Sequence, residues 1–359
     1  MICHFRDEMN FFRQFSFLII SLFFSYQTVS AKETIYLISS SSAYDEKYIP
    51  MITQTFEKNG FAVNTQYLDQ QLSDFGYVNT DHERAINLIN ALTDDQVKYL
   101  WFVRGGSGAL NLLPELQNHV NILRKSNAKI LIGFSDVTAI HYFINHNLAW
   151  KSVHGASAAS SKIIDAVPQV QTFETQVISQ DEANQDAVSE NENQKNAIEE
   201  IFKTIQNGLQ YSGLLPLNTS AKNSHLSGNL TGGNMTLIQT LFSTSFEKSW
   251  NNQVILLEDV NVTYKQLDRI LHQISYKKDF KPKAIVFGQF YPAKTNDGER
   301  LIYKEVIRSY AERTNIPVFY YPYFGHGKVN KPFILGEKAT ISCKNGSDYC
   351  QIQQDKIEQ

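Results

Sequence analysis

The sequence predicts an α/β fold. An N-terminal parallel-sheet, Rossmann-like domain is followed by a smaller mixed α/β C-terminal domain, with the active site between them. Short apolar runs alternate with stretches of helical spacing, the pattern of βαβ units. Several of these runs end abruptly in Gly, Ser or acidic residues, and sheets of this kind place their chemistry at the carboxyl ends of the strands. Residues 161–200 hold nine acidic and two basic residues and no Trp, Tyr or Gly. Such a stretch buries little apolar surface and reads as a solvated linker between two bodies.

The elements follow in order. "ETIYLISSSS" (33–42) is a buried strand running into a serine-rich turn, and "GFAVNTQYL" (60–68) is a second strand. "HERAINLINALTDD" (82–95) carries apolar residues at helical spacing and closes on acids. "VKYLWFV" (97–103) runs directly into "RGGSG", and "AKILIGF" (128–134) runs into Ser135 and Asp136. The linker turns helical towards "NAIEEIFKTIQNG". Beyond it come "LSGNLTGGNMTLIQTLF", the strand "QVILLEDV", the helix "TYKQLDRILHQI", the strand "KAIVFGQF", the helix "EVIRSYAER" and "IPVFYYPYFGHGK". The expected boundaries are 32–160 for the first domain, 161–210 for the acidic linker, 211–345 for the second domain and 346–359 for a C-terminal tail.

A formal net charge of -3 with no basic run argues against nucleic acid or an anionic membrane as partner. The first 31 residues read as a secretory signal peptide. Arg13 precedes the apolar run "FSFLIISLFF", and Val29 and Ala31 occupy the small-residue positions of a cleavage site after Ala31. The apolar run is shorter than the roughly 20 residues that span a bilayer, so no stable membrane insertion is expected. The mature chain is expected to be periplasmic or secreted. Cys343 and Cys350 flank an Asn-Gly turn in "CKNGSDYC". In an oxidising compartment they could close a disulfide-bridged hairpin. Two thiols with no nearby His make an incomplete zinc site, so no metal is expected.

The chemistry concentrates at strand ends. Ser135 stands between a buried strand and resuming helical spacing, which suits a nucleophile on a sharp strand-to-helix turn. Ser and Asp also cap helices in that position. The full G-x-S-x-G pattern is absent, because position 137 is Val. A serine nucleophile needs a base, a group to orient the base, and donors for the oxyanion. His326, flanked by glycines in "YFGHGK", is the candidate base, against the alternative of a turn histidine. Glu258 and Asp259 emerge from four apolar residues. A buried carboxylate needs a partner, either that histidine or an arginine such as Arg269. Glycine turns offer backbone N–H groups, and the candidate oxyanion donors are those of Gly106 and Asp136. Arg104, Ser107, His154 and Asn234 are candidates for the substrate pocket.

These blocks together resemble the LD-carboxypeptidases, serine peptidases that trim peptidoglycan peptides, and the related microcin C self-immunity peptidases. The resemblance runs from about Ile35 to Ile341. It rests on "DHERAINLINALTDDQVKYLWFVRGGSGALNLLPEL", "KILIGFSDVTAIHYF", "HGA", "LSGNLTGGNMTLIQTLFST", the "VILLEDV" and "YKQLDRILHQI" pair, and "PVFYYPYFGHG". It implies Ser135 as nucleophile, His326 as base and Glu258 as the acid that orients it. The chain departs from the family pattern at Ser107, where an aromatic Tyr is usual in the RGGYG block. "HGAS" stands in place of the commoner HGP, the acidic linker is long, and export contrasts with cytoplasmic relatives.

The resemblance implies removal of the terminal D-alanine from murein tetrapeptides without a cofactor, and it leaves a homodimer open. Two alternatives stand beside it: an immunity-type peptidase acting on a peptide–nucleotide antibiotic, and a non-catalytic murein-peptide-binding protein. If Ser135 is the nucleophile, its Oγ is expected within about 2.6–3.2 Å of an imidazole nitrogen of His326, looser without substrate.

Overall fold

A computed structural model of the chain describes residues 32–164, 190–291, 297–327, 329–344 and 347–358. The expected signal peptide 1–31, residues 165–189 of the expected linker and the expected turn at Asn345–Gly346 lie outside the described residues.

The first body is a six-stranded sheet built from β1 (Thr34–Ile38), β2 (Ala62–Tyr67), β3 (Tyr99–Phe102), β4 (Ile130–Gly133), β5 (Ser152–His154) and β11 (Phe333–Leu335). Its order is β11-β5-β4-β3-β1-β2. Every pairing is parallel except that of β11 with β5. Its helices are α1 (Tyr48–Lys58), α2 (Asp81–Thr93), the short α3 (Leu113–Asn118) and α4 (Val120–Leu123), and α5 (Thr138–Asn147). The helix expected over 82–95 starts earlier, because the Thr80 side chain caps it by accepting from Glu83 N–H. It stops at Thr93, where Asp94 turns extended.

The second body is a closed barrel of β6 (Leu209–Pro216), β7 (His225–Asn234), β8 (Gln253–Val260), β9 (Ala284–Tyr291), β10 (Val318–Tyr320), β12 (Lys338–Cys343) and β13 (Cys350–Gln354). Around it lie α7 (Met235–Leu241), α8 (Tyr264–Tyr276) and α9 (Asp297–Arg313). Its pairing is mixed. β7-β8-β9-β10 run parallel, whereas β6, β12 and β13 close the barrel with antiparallel ladders.

Three expected boundaries shift. The stretch 346–359 is more than a tail: it contributes β13, whose Ile352 is fully buried in the barrel core. β11 falls within 211–345 yet pairs with β5 of the first sheet. The linker ends in α6 (Glu190–Asn207), which buries Ile198, Ile201, Phe202 and Ile205 against the first sheet. Phe202 stacks on Phe61 at 4.2 Å and meets Tyr99 edge-on. Each such buried side chain stabilises by roughly 1.5–3 kcal/mol. The described residues form one compact unit. A single apolar core joins Leu100, Phe102 and Leu131 of the sheet to Ile255, Leu257 and Phe287 of the barrel.

Cys343 and Cys350 are direct register partners and are joined by a disulfide. Among the described residues no helix is long and apolar enough to cross a membrane.

Candidate active site

Five of the predicted residues, Ser135, Asp136, Gly106, Glu258 and His326, lie where the first sheet meets the barrel. Ser135 follows β4 and takes φ 63°, a left-handed conformation that costs a residue with a Cβ roughly 1–2 kcal/mol. A short 3-10 turn (Ser135–Val137) then leads into α5. This is the sharp strand-to-helix turn expected, and no side chain caps it. Helix starts leave their first N–H groups without intrahelical partners. The Asp136 N–H is one of them.

The glycine turn after β3 lies directly against the serine. A Cβ on Gly105 would sit 3.0 Å from Ser135 Cβ and 3.3 Å from Asp136 N, so a larger residue there would crowd the serine turn. Gly106 takes φ 115°, and its N–H has no hydrogen-bond partner among the described residues. Two side chains fix the turn. Asp136 Oδ2 accepts from Ala109 N–H at 2.8 Å. Burial pushes the Asp136 carboxyl up, against the pull of that bond and of the nearby Arg84 charge. Arg84 is itself buried and donates to the carbonyls of Asn79, Ser40 and Gly108, while its guanidinium lies over the Tyr77 ring. Sequence reasoning missed Arg84. Its signal was a charge on the apolar face of an amphipathic helix.

Glu258 and Asp259, adjacent on β8, are both buried but serve different partners. A register shift between Leu257 and Asp259 breaks the ladder to β9 at this point, and such irregularities re-aim side chains. Asp259 accepts from Asn234 Nδ2 at 2.8 Å and from Thr236 N–H at 2.9 Å, so it secures the start of α7. Glu258 Oε2 accepts from His326 Nδ1 at 2.6 Å, and among the described residues no arginine meets its carboxylate. The other oxygen, Oε1, is buried and has no hydrogen-bond partner among the described residues.

His326 stands in the loop after β10. A Cβ on Gly325 would lie 2.8 Å from Glu258 Oε2, which explains the first glycine of "GHG". The loop is held by Asn330 Oδ1, which accepts from Gly325 N–H at 2.9 Å, and by Gln289 Oε1, which accepts from Gly327 N–H at 2.5 Å. Gln289, a polar residue late in an apolar strand, was a legible signal that went unused. The Phe134 ring, next to Ser135, packs 4.8 Å from the His326 ring. Among the described residues no hydrogen bond joins Ser135 Oγ to His326. Catalytic hydrogen bonds are often long or poorly aligned without substrate and tighten only when it is bound.

The pocket candidates divide. Arg104 and Ser107 are exposed on the glycine turn; Arg104 donates to Ala43 O, and Ser107 N–H donates to Ser42 Oγ. Asn234 is 4% exposed and is occupied in capping α7 and bonding Asp259, so it lines no open surface. His154 is fully buried behind the site, with its ring edge-on to Phe134 and Phe324. Both were expected on the pocket surface. Packing between the sheet and β7 encloses them instead.

Burial holds two histidines neutral: His141 is lowered to about 3 and His154 to about 4 from an ordinary value of 6.5. In the unfolded chain both would take up protons below about pH 6.5. Stability is therefore fully present above that pH and is lost as pH falls towards about 4, at about 1.4 kcal/mol per unit for each histidine. Between pH 7 and 5 the pair costs about 4 kcal/mol, partly offset by the raised carboxyls of Asp136 and Asp259. The urea midpoint should fall accordingly over this range, and equal midpoints at pH 7 and pH 5 would remove the assignment.

Chemically, a carboxylate on Nδ1 fixes the imidazole tautomer and leaves Nε2 free to take and return a proton. Comparison with known proteins identifies the family. The models of the LD-carboxypeptidase N-terminal and C-terminal domains match residues 35–155 and 227–341. A Rickettsia conorii protein named "Putative carboxypeptidase" is 33% identical over 90% of this chain and 94% of its own length. The murein tetrapeptide carboxypeptidase of Pseudomonas aeruginosa is 23% identical over 73% of this chain and 78% of its own. The crystal structure of muramoyltetrapeptide carboxypeptidase from Oxalobacter formigenes superposes with TM-score 0.69 at 20% identity. That match covers 91% of this chain and all of the other. The chain belongs to the LD-carboxypeptidase family, whose members include murein tetrapeptide carboxypeptidases.

Proposed function

We propose that the protein is an exported serine LD-carboxypeptidase that removes the terminal D-alanine from murein tetrapeptides. The observation that carries this reading is the 2.6 Å bond from His326 Nδ1 to buried Glu258, beside a serine on a strained turn. Ser135 Oγ attacks the carbonyl that precedes the D-alanine, and His326 Nε2 takes its proton. The N–H groups of Gly106 and Asp136 receive the developing oxyanion. His326 then returns the proton to the amine of the departing D-alanine, leaving an ester on Ser135. Water, deprotonated by His326, hydrolyses the ester and releases the tripeptide. Glu258 holds the tautomer and stabilises the imidazolium charge. Arg104 and Ser107, exposed on the glycine turn, are the candidates to meet the substrate. Export through cleavage after Ala31 would place the enzyme beside its polymer.

The test is to incubate residues 32–359 with a muramoyl tetrapeptide and follow free D-alanine by mass spectrometry. A tetrapeptide ending in L-alanine runs beside it. Release from the first and none from the second is expected. No release from either sinks the reading and directs the search to peptide–nucleotide substrates.

A further inference from the structure

Two adjacent buried groups in the site have unsatisfied hydrogen-bonding capacity. Among the described residues, buried Glu258 Oε1 has no hydrogen-bond partner, and neither do the two ring nitrogens of His154. A buried polar atom left unpaired costs about 1–3 kcal/mol, and more when it is charged. The two side chains share one compartment. Asn234 pairs with Glu258 across β7 and β8, and a Cβ on the preceding Gly233 would stand 3.3 Å from His154 Nδ1. Phe324, edge-on to His154, immediately precedes Gly325, whose Cβ position touches the Glu258 carboxylate.

We infer that His154 is a positioning residue that donates its ring N–H to Glu258 Oε1, through a small ring shift or one bridging water, so that the carboxylate is held between two imidazoles. His326 then occupies Oε2 and His154 occupies Oε1. The inference rests on Glu258 and His326 acting as the orienting acid and base. The same compartment keeps the His154 ring neutral, as this role requires: burial lowers it first, and the His326 charge lowers it further against the pull of Glu258. The charged or titratable groups facing the pair are His326 in its loop, His141 on α5 and Asp259 beside Glu258. A neutral imidazole has one N–H to give, which matches the single free oxygen.

The role predicts a signature beyond loss of packing. His154→Phe keeps the edge contacts with Phe134 and Phe324 and removes the donor. It should lower kcat by about 10–100-fold with KM little changed, the scale seen for outer partners of ligating histidines. With Oε1 unpaired, more of the carboxylate charge acts on His326, which then holds its proton to higher pH. The acidic limb of kcat/KM should therefore move up by about 0.5–1 pH unit. His154→Gln, which can still donate, should restore the limb.

A profile for His154→Phe that superimposes on wild type overturns the inference. So does a shift reproduced by Asn330→Ala and not by His154→Phe, since Asn330 Nδ2 is also unpaired nearby. Spectra of the whole protein labelled with ¹⁵N-histidine give a readout that needs no turnover. The His154 ring signals should move in Glu258→Gln, and unmoved signals reject the contact. This arm stands even if the protein releases no D-alanine, so failure of the substrate reading and failure of this one are separable.

Discussion

Ser135→Ala should abolish D-alanine release, with kcat falling by about 10⁶-fold, the scale of losing a serine nucleophile that acts as a unit with its base. The fold should survive, because alanine meets the same neighbours at Gly105 and keeps the same backbone. Ser135→Gly makes the sharper test. At φ 63° glycine carries no Cβ penalty, so this variant should be equally inactive yet more stable by roughly 1 kcal/mol. Denaturation midpoints measured beside activity would show it. An inactive protein stabilised by losing its serine means that the turn's strain is kept for reactivity. If Ser135→Ala retains the wild-type rate, the nucleophile is elsewhere.

Glu258→Gln should lower kcat by on the order of 10⁴-fold, the effect of the same acid-to-amide change in a Ser-His-Asp triad. The side chain is isosteric, and the bond that matters is the one to His326 Nδ1 at 2.6 Å. An amide can present N–H to that nitrogen, which puts the ring proton on Nε2, where the base must be empty. It also removes the negative charge that stabilises the imidazolium. Because Glu258 is fully buried, solvent cannot substitute for either function. Pre-steady-state kinetics should show slowed acylation. A loss below about tenfold would mean that the Glu258–His326 pair is structural.

The departure at Ser107 takes on meaning in the structure. Its N–H donates to Ser42 Oγ, so the glycine turn is braced through its backbone and does not depend on an aromatic side chain there. The serine-rich turn after β1 supplies that brace. Its Ser42 hydroxyl would also lie 2.3 Å from a Cβ on Gly106, so the brace in this position depends on the glycine.

What could be read directly from the chain was whatever depends on neighbours in sequence. Strand and helix periodicities located β3, β4, β8, β9, α2 and α8, and strand ends located Ser135, the glycine turn, Glu258 and His326. The choice between His326 and an arginine for Glu258 was open in the sequence. The partner arrives from a loop 68 residues away, and only the barrel brings it to 2.6 Å. Barrel closure was likewise hidden, because β13 reads as a polar tail until its ladders to β6 and β12 bury Ile352. Arg84 and Gln289 show as polar residues on apolar elements, but the loop backbone groups that they satisfy lie 44 and 38 residues away and only the fold brings them together, whereas Asn330 braces Gly325 within its own loop. His154 shows the same limit from the other side. Its place among the pocket candidates was legible, but only packing between sheet and barrel decided that its ring is enclosed behind Glu258 and His326, because burial is a property of the assembled layers.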